Sequence, residues 1–156
     1  MLIFYIITRF RIVIKMKYVT VYWSRYGHGK KIVEYLDEKL KNKGGETKIF
    51  KTAEADPNSL PEADMYIFSA PTEAFSVQRD MKDFMKKLQV MNGKKYAIIN
   101  THAMKKSKLG SMEKILSKKN MEKVADIDFR VEGDFKTGSG LPDNWKEKID
   151  DFSGKL

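Results

Sequence analysis

A short segment, Ser24-Arg25-Tyr26-Gly27-His28-Gly29, has the composition of a ligand-binding turn. It lies between an apolar run, Tyr18–Trp23, and a segment with the residues of a helix, Lys30–Leu40. The start of a helix offers backbone N–H groups without intrahelical partners, together with the positive end of the helix dipole. Glycine lets the backbone approach a ligand without a clash at Cβ. The segment is therefore predicted to bind an anion such as a phosphate.

Two further segments follow apolar runs that predict buried strands, Met65–Phe68 and Tyr96–Ile99. In an open α/β sheet the ligand lies beyond the carboxyl ends of the strands, where the strand order reverses. We therefore expect three loops to converge on one ligand: Ser24–Gly29, Pro71–Val77 and Thr101–Lys108. The aromatic rings of Tyr26 and Phe75 favour a flat ligand that stacks.

The composition indicates one globular domain, since the chain has 156 residues and 42% of them are apolar. The absence of cysteine excludes disulfides, thiolate metal sites and cysteine nucleophiles, and it fits a cytoplasmic protein. The two histidines, His28 and His102, are far apart in sequence, so no metal site is expected. We also expect no dedicated catalytic acid or base.

The net charge of +9 has two readings. A basic surface is suited to an acidic partner, a membrane surface or nucleic acid, but it is equally typical of a lysine-rich solvated surface. No dense block of Lys and Arg with interleaved aromatic residues is present, so nucleic acid is not an expected partner.

The first fifteen residues differ from the rest of the chain. The apolar run Met1–Ile7 is too short to span a bilayer, and its basic residues follow it, the reverse of a signal peptide. Our hypothesis is that residues 1–15 are an extension from a misassigned start codon and that residues 16–156 form the domain. The alternative is a genuine additional strand or a docking arm.

Strands and helices are predicted to alternate along residues 16–156, which indicates a parallel sheet covered by helices on both faces. The spacing of Met81, Phe84, Met85 and Leu88 predicts a helix with one buried face. Ser69–Ser76 and Asn100–Met104 are predicted to be loops, and Lys136–Gly140 a flexible link. The remaining strands are predicted over Thr47–Lys51, at one edge, and Val124–Val131, at the other.

Three phosphate-related motifs are excluded by the spacing or the type of the residues. Gly27-His28-Gly29-Lys30-Lys31 lacks the separation of glycines and the hydroxyl of a Walker A loop. A dinucleotide fingerprint requires a third glycine where Ile32 stands. A phosphoacceptor domain requires acidic residues after the first and third strands, which have Ser24-Arg25 and Ser69-Ala70 instead.

Over about residues 16–156 the chain resembles the short-chain flavodoxins. The resemblance rests on the strand–Ser-Arg-Tyr-Gly-His-Gly–helix start, on Ala70–Phe75 and on the C-terminal helix from Pro142. It implies an α/β fold, a flavodoxin-like three-layer α/β/α sandwich whose five-stranded parallel sheet has the order 2-1-3-4-5, with FMN as the cofactor. No long insertion splits the fifth strand, in contrast to the longer flavodoxins.

The resemblance also implies roles for individual residues. Ser24 matches the first hydroxyl of the phosphate loop, and Arg25, Tyr26, Gly27 and His28 would supply backbone N–H groups. The family usually has Thr or Ser where Tyr26 and Gly29 stand. The residues expected to border the isoalloxazine ring are Pro71, Thr72, Glu73, Ala74 and Phe75 on one edge, with Phe75 as the stacking residue, and Thr101 and His102 on the other.

Structural roles remain open for the same residues. Tyr26 could pack on the first helix, Phe75 could be a core residue, Glu73 could cap a turn, and His102 could hydrogen-bond to the backbone. The lysines Lys105, Lys106 and Lys108 could form an ordinary solvated face.

Three functions follow from these residues. The first is an FMN-binding electron carrier with an acidic redox partner; its basic charge would stabilise the reduced flavin and give a less reducing potential than acidic flavodoxins have. The second is an FMN-dependent oxidoreductase, either a quinone reductase or a protoporphyrinogen-oxidase-like enzyme, to which the Ser-Arg-Tyr-Gly-His start is similar. The third is a flavin-free interaction module. The short predicted loops favour the carrier.

Overall fold

The computed structural model describes residues 15–156, so the prediction for residues 1–15 lies outside the described residues except at Lys15. The strands are β1 (Lys17–Tyr22), β2 (Glu46–Lys51), β3 (Met65–Glu73), β4 (Ser76–Val77), β5 (Lys95–His102) and β6 (Glu122–Arg130). The helices are α1 (His28–Asn42), α2 (Arg79–Lys87), α3 (Leu109–Ser117) and α4 (Trp145–Ser153), with 3₁₀ turns at Thr52–Glu54 and Phe135–Thr137.

The sheet has the strand order β2-β1-β3-β5-β6, and each neighbouring pair on this path is parallel. The short strand β4 lies off the path and pairs antiparallel with the end of β3. The predicted flavodoxin-like sandwich with five parallel strands is therefore confirmed, with β4 as an additional strand that the sequence analysis did not include. The strand order reverses between β1 and β3, and the first two predicted ligand-binding loops lie at the carboxyl ends of these strands.

Helices cover both faces of the sheet because each has one apolar stripe to bury. On one face α1 and α4 bury Ile32, Leu36 and Ile149 against β1, β3 and β5. On the other face α2 and α3 bury Met81 and Met112. Burying a side chain of this size contributes about 1.5–3 kcal/mol. The predicted helix stripe is thereby confirmed.

Among residues 15–156, no helix combines the length and hydrophobicity that crossing a membrane requires.

Two loops were predicted to start at Ser69 and at Asn100, and both of these boundaries are wrong. β3 continues to Glu73 and β5 continues to His102. The two strands stay in register as far as Pro71 opposite Thr101, and β5 pairs with β6 up to His102 opposite Arg130. These polar residues remain in strands because neighbouring strands on both sides hydrogen-bond to their backbone groups. The local pattern of apolar residues does not predict this pairing.

The loop that remains after β3 is a two-residue hairpin turn, Ala74-Phe75, between β3 and β4. Both residues have positive φ, 49° at Ala74 and 65° at Phe75. Two-residue hairpins of type I′ need positive φ at both positions and usually have Asn-Gly there, because other residues are strained in this region. The turn therefore stores conformational strain of about 1–2 kcal/mol per residue.

The predicted flexible link Lys136–Gly140 is instead part of a hydrogen-bonded turn. A 3₁₀ turn spans Phe135–Thr137. The hydroxyls of Thr137 and Ser139 both donate to the carbonyl of Asp134, at 2.8 and 3.0 Å. The small polar residues of this segment therefore close a local turn.

Candidate functional site

A cavity of about 430 Å³ opens at the carboxyl ends of β1, β3 and β5. This volume is within the range of small-molecule sites. All of the predicted site residues line it except Gly27 and Phe75. The lining residues are Ser24, Arg25, Tyr26, His28 and Gly29 from the first segment, Pro71, Thr72, Glu73 and Ala74 from the second, Thr101, His102 and Ala103 from the third, and Trp23, Val131 and Phe135, which were not predicted.

The first segment forms a turn that leads directly into α1. Gly27 is the N-terminal cap residue of the helix and has φ +99°, a left-handed conformation that favours glycine. Within residues 15–156, no acceptor takes the amide hydrogens of residues 25 to 30, and the hydroxyl of Ser24 makes no hydrogen bond. A row of free donors at a helix start is an anion-binding arrangement.

The segment after β6 packs against this turn. The Nε2 atom of His28 lies 2.6 Å from the carbonyl oxygen of Ser139, so His28 donates this hydrogen bond. Gly138 has φ +80°, and a Cβ there would lie 2.8 Å from the carbonyl oxygen of Tyr26. The rings of Tyr26 and Phe135 meet edge to face, with centroids 5.6 Å apart. These contacts close one side of the cavity.

An ion pair joins the first segment to the end of β3. The Nε and Nη2 atoms of Arg25 donate to the two carboxylate oxygens of Glu73, at 2.6 and 2.8 Å. The hydrogen bond to Glu73 raises the pKa of Arg25, because the carboxylate stabilises the charged guanidinium. The guanidinium also lies 4.8 Å from the ring centre of Trp23. Arg25 is thus held at the mouth of the cavity as a fixed cation.

Beneath the cavity, the side chain of Asn100 ties three segments together. Its amide nitrogen donates to the carbonyl of Ala70 at 3.0 Å and to the Thr72 hydroxyl at 3.2 Å. Its carbonyl oxygen accepts the backbone N–H of Lys108 at 2.8 Å. Asn100 is fully buried, so these bonds are made without competition from water. They fix the end of β3 and the loop before α3.

His102 at the end of β5 is buried between two acceptors. Its Nε2 lies 2.6 Å from the Oδ2 of Asp128 on β6, and its Nδ1 lies 2.6 Å from the carbonyl oxygen of Met104. The predicted backbone contact is therefore present, together with a carboxylate that the sequence analysis did not identify. Asp128 is 26 residues away in sequence, and no local pattern connects the two.

Phe75 does not line the cavity. Its side chain projects from the hairpin turn and is 72% exposed. The aromatic residues that do line the cavity are Trp23, Tyr26 and Phe135. Trp23 adjoins the predicted segment and could have been included on that ground, whereas Phe135 reaches the cavity through the fold of residues 131–140 and has no local signal.

Among residues 15–156, no group of three or more acidic or histidine side chains is arranged to hold a metal ion.

Comparison with known proteins places the chain in a family. A model of the flavodoxin domain matches residues 19–136. A search of curated proteins found no match. Among solved structures, a flavodoxin of Streptococcus pneumoniae TIGR4 is 19% identical and has a TM-score of 0.73, covering 90% of this chain and 97% of that one. Flavodoxin 1 of Bacillus cereus is 17% identical, with a TM-score of 0.70 and coverage of 89% and 95%.

A similar fold also occurs within a longer protein. The rubredoxin oxygen:oxidoreductase of Desulfovibrio gigas is 12% identical with a TM-score of 0.76, and the match covers 90% of this chain but 35% of that one. Likeness at this level of identity concerns the fold alone, whereas the domain model matches most of the sequence. The chain belongs to the flavodoxin family.

Proposed function

We propose that this protein binds FMN and transfers electrons. The observation that carries the proposal is the row of amide hydrogens at residues 25 to 30 that have no acceptor within residues 15–156. Of these residues, Arg25, Tyr26, His28 and Gly29 line a cavity of ligand size at the carboxyl end of the sheet. The phosphate of FMN would accept these hydrogens together with the hydroxyl of Ser24. Family membership supports a flavin as the cofactor. One- and two-electron transfer is the chemistry that FMN supplies when bound.

The roles proposed for the residues follow the three segments. Ser24, Arg25, Tyr26, Gly27, His28 and Gly29 would hold the phosphate. Pro71, Thr72, Glu73 and Ala74 would border one edge of the ring, and Thr101 and His102 the other. Phe75 stays a predicted stacking residue, which from its exposed position would have to cover the ring from outside the cavity.

Two Ser or Thr hydroxyls that the family usually provides are replaced, one by the phenol of Tyr26 and the other by nothing at Gly29, so the proposed phosphate site depends mainly on the backbone. Position 29 has space for a side chain: a Cβ at Gly29 would lie 3.6 Å from the side chain of Ser24, an ordinary van der Waals contact. Arg25 would add charge near the phosphate if its guanidinium left Glu73.

Calorimetry with the apoprotein tests the proposal. We expect FMN to bind and riboflavin, which lacks the phosphate, to bind much more weakly. Ser24→Ala should lower the affinity for FMN about tenfold or more, because it removes a hydrogen bond to a charged group. Ser111→Ala, at an exposed site on α3, is the matched control and should bind FMN as the unmodified chain does. No heat on injection of FMN would overturn the proposal and favour a flavin-free interaction module.

The surface around the cavity supports an acidic redox partner. The loop after Ala103 carries Lys105 and Lys106, both exposed. Apolar side chains are exposed at Met104 in the same loop and at Tyr26 and Phe75 in the other two predicted ligand-binding loops. An apolar centre with cationic neighbours fits a partner with acidic residues around its own redox centre. We propose that the partner docks here and that the potential is less reducing than that of acidic flavodoxins, which a redox titration tests.

Small electron acceptors of opposite charge can test the charge of this surface. At low salt we expect the reduced FMN-loaded protein to react with ferricyanide, an anion, faster than a protein with an uncharged surface would. Added salt should slow this reaction, because it screens the attraction. Hexaammineruthenium(III), a cation, should show the opposite salt dependence.

Replacing Lys105 and Lys106 by Glu should remove the advantage of ferricyanide. The matched control replaces Lys95 and Lys118 by Glu: these lysines are also exposed, but they lie at the other end of the sheet. An equal effect of both double variants would show that net charge, not this surface, determines the rate.

A second candidate function is an FMN-dependent oxidoreductase. The connection between β6 and α4 spans residues 131–144 and brings Val131 and Phe135 to the cavity wall, so the short loops expected from the sequence are not found on this side. A wall of this kind would suit a substrate beside the ring. Steady-state turnover with NAD(P)H and a quinone separates the two functions: turnover would identify an enzyme, and its absence an electron carrier. Either function fits the cytoplasm, which we propose as the compartment because the chain has no cysteine.

A further inference from the structure

The turn between β1 and α1 borders a second cavity besides the one already described. This second cavity has a volume of about 320 Å³ and is completed by the end of β2 and the 3₁₀ turn that follows it. Ser24 and Arg25 line both cavities, whereas Gly27 and Lys30 line the second and not the first. The residues whose amide hydrogens have no acceptor within residues 15–156 are therefore divided between two cavities.

The turn is not packed in the same way toward the two cavities. Toward the first, His28 is bonded to the carbonyl of Ser139 and Tyr26 meets the ring of Phe135. At Gly27, which lines the second cavity, an added Cβ would meet no atom of residues 15–156 within 4 Å. A group attached to a phosphate in this turn would therefore have room in the second cavity.

The charges of the second cavity suit another phosphate. Three cationic side chains line it, Arg25, Lys30 and Lys51, together with one carboxylate, Asp80. Lys51 forms no ion pair with residues 15–156, and Lys30 has only a long contact of 3.7 Å with Glu34 in which both side chains are more than half exposed. Such lysines are available to bind an anion, and lysine binds phosphate as a mobile point charge.

The other lining residues suit a nucleoside. Tyr22, Trp23 and Ala53 give the cavity apolar surface, against which the face of a flat base can pack. Thr52 and the carboxylate of Asp80 can accept hydrogen bonds from ribose hydroxyls. The volume is within the range of small-molecule sites. The second cavity thus offers apolar surface, hydrogen-bond acceptors and cations in one place.

We propose that this protein accepts FAD as well as FMN, with the adenylate part of FAD in the second cavity. The two phosphates of FAD would share the turn and the cations Lys30 and Lys51, and the flavin would keep the place proposed for it in the first cavity. This inference rests on the proposed function, because it requires the flavin phosphate to bind at the turn. It concerns which flavin nucleotides bind and leaves the chemistry of the flavin ring unchanged.

Calorimetry with the apoprotein compares the two nucleotides. FAD is first freed of FMN by chromatography, so that the heat comes from the dinucleotide. We expect FAD to bind with an affinity within about tenfold of that of FMN, because the second cavity accommodates the added adenylate. An FAD affinity lower than this would overturn the inference, since it would mean that the turn encloses a terminal phosphate.

Two variants test whether the adenylate lies in the second cavity. Ala53→Trp should fill the cavity and lower the affinity for FAD about tenfold or more, with FMN affinity unchanged. Its control is Asn58→Trp, at an exposed position that lines neither cavity. Lys51→Glu should lower the ratio of FAD to FMN affinity about tenfold, whereas Lys48→Glu, the same charge change on the same strand but outside the cavity, should leave the ratio unchanged.

Thermal unfolding shows whether each variant is folded, and Lys51→Glu serves if Ala53→Trp is not. FAD binding that neither folded variant weakens would overturn the inference, because the adenylate would then lie elsewhere. ADP, which lacks the flavin, should bind the unmodified apoprotein more tightly than Ala53→Trp, and equal binding would also contradict the assignment. Heat with FMN but not with FAD would overturn this inference alone, whereas heat with neither nucleotide would overturn the proposed function.

Discussion

The two walls of the cavity are built in different ways. The wall proposed to hold the phosphate (the phosphate wall), Ser24–Gly29, offers backbone amides at the start of α1 and the hydroxyl of Ser24, which has no partner among residues 15–156. The ring wall, at the ends of β3, β5 and β6, is held by buried side chains, Asn100 and His102, each with several hydrogen bonds. For the stability of the fold, the first wall should therefore tolerate changes of side chain and be sensitive to backbone conformation, and the second should behave in the reverse way.

The largest effect is expected from Asn100→Leu on the ring wall. A leucine of similar size leaves the buried carbonyl of Ala70 and the partly buried backbone N–H of Lys108 without this partner. Each such group costs about 1–3 kcal/mol, so the free energy of unfolding, measured with urea, should fall by about 3 kcal/mol. Asn58→Ala, at an exposed site, is the control and should change it by less than about 0.5 kcal/mol. A loss below about 1 kcal/mol for Asn100→Leu would break the contrast between the walls.

A smaller effect is expected from glycine substitutions in the phosphate wall. Gly27→Ala should lower the free energy of unfolding by about 1–2 kcal/mol, since alanine is strained at φ +99°. It should also weaken FMN binding, because the amides would turn away. Gly29→Ala is the matched control: its Cβ has room and the site is within α1, so stability should be equal or slightly higher. Equal losses at both positions would mean that side-chain space, not conformation, limits this wall.

The smallest effect is expected from Glu73→Gln, which alters the ion pair between the walls. Arg25 and Glu73 are 49% and 27% exposed, and pairs of this kind contribute about 1 kcal/mol or less. The free energy of unfolding should therefore change little. FMN affinity should rise less than tenfold, and less at high salt, because the guanidinium is freed for the phosphate. Unchanged affinity at low salt would show that Arg25 does not reach the phosphate.

The turn and helix start that form the phosphate wall could be predicted from sequence because their signals are contiguous. A buried strand, a glycine-bearing turn and a helix follow one another from Tyr18 to Leu40, and each obeys a local rule. The alternation of strands and helices predicted a parallel sheet, and the order of its strands came from the family resemblance alone. In this region, the residues that act together are also adjacent in the chain.

The ring wall could not be predicted in the same way. The polar ends of β3 and β5 read as loops, but cross-strand pairing keeps them extended. The turn Ala74-Phe75 lacks the Asn-Gly signal of its type. The contacts of His102 with Asp128 and of Tyr26 with Phe135 join residues distant in sequence. Such contacts depend on tertiary packing, which periodicity does not encode.

The hydrogen bond from His28 to Ser139 has a consequence for the connection between β6 and α4. It links the first residue of α1 to a segment more than a hundred residues later. A ligand that orders the helix start should therefore also order this connection and shield it from cleavage. Trypsin digestion at Lys136, which is exposed, should slow when FMN is added, so a protease could report an event at the opposite end of the sequence.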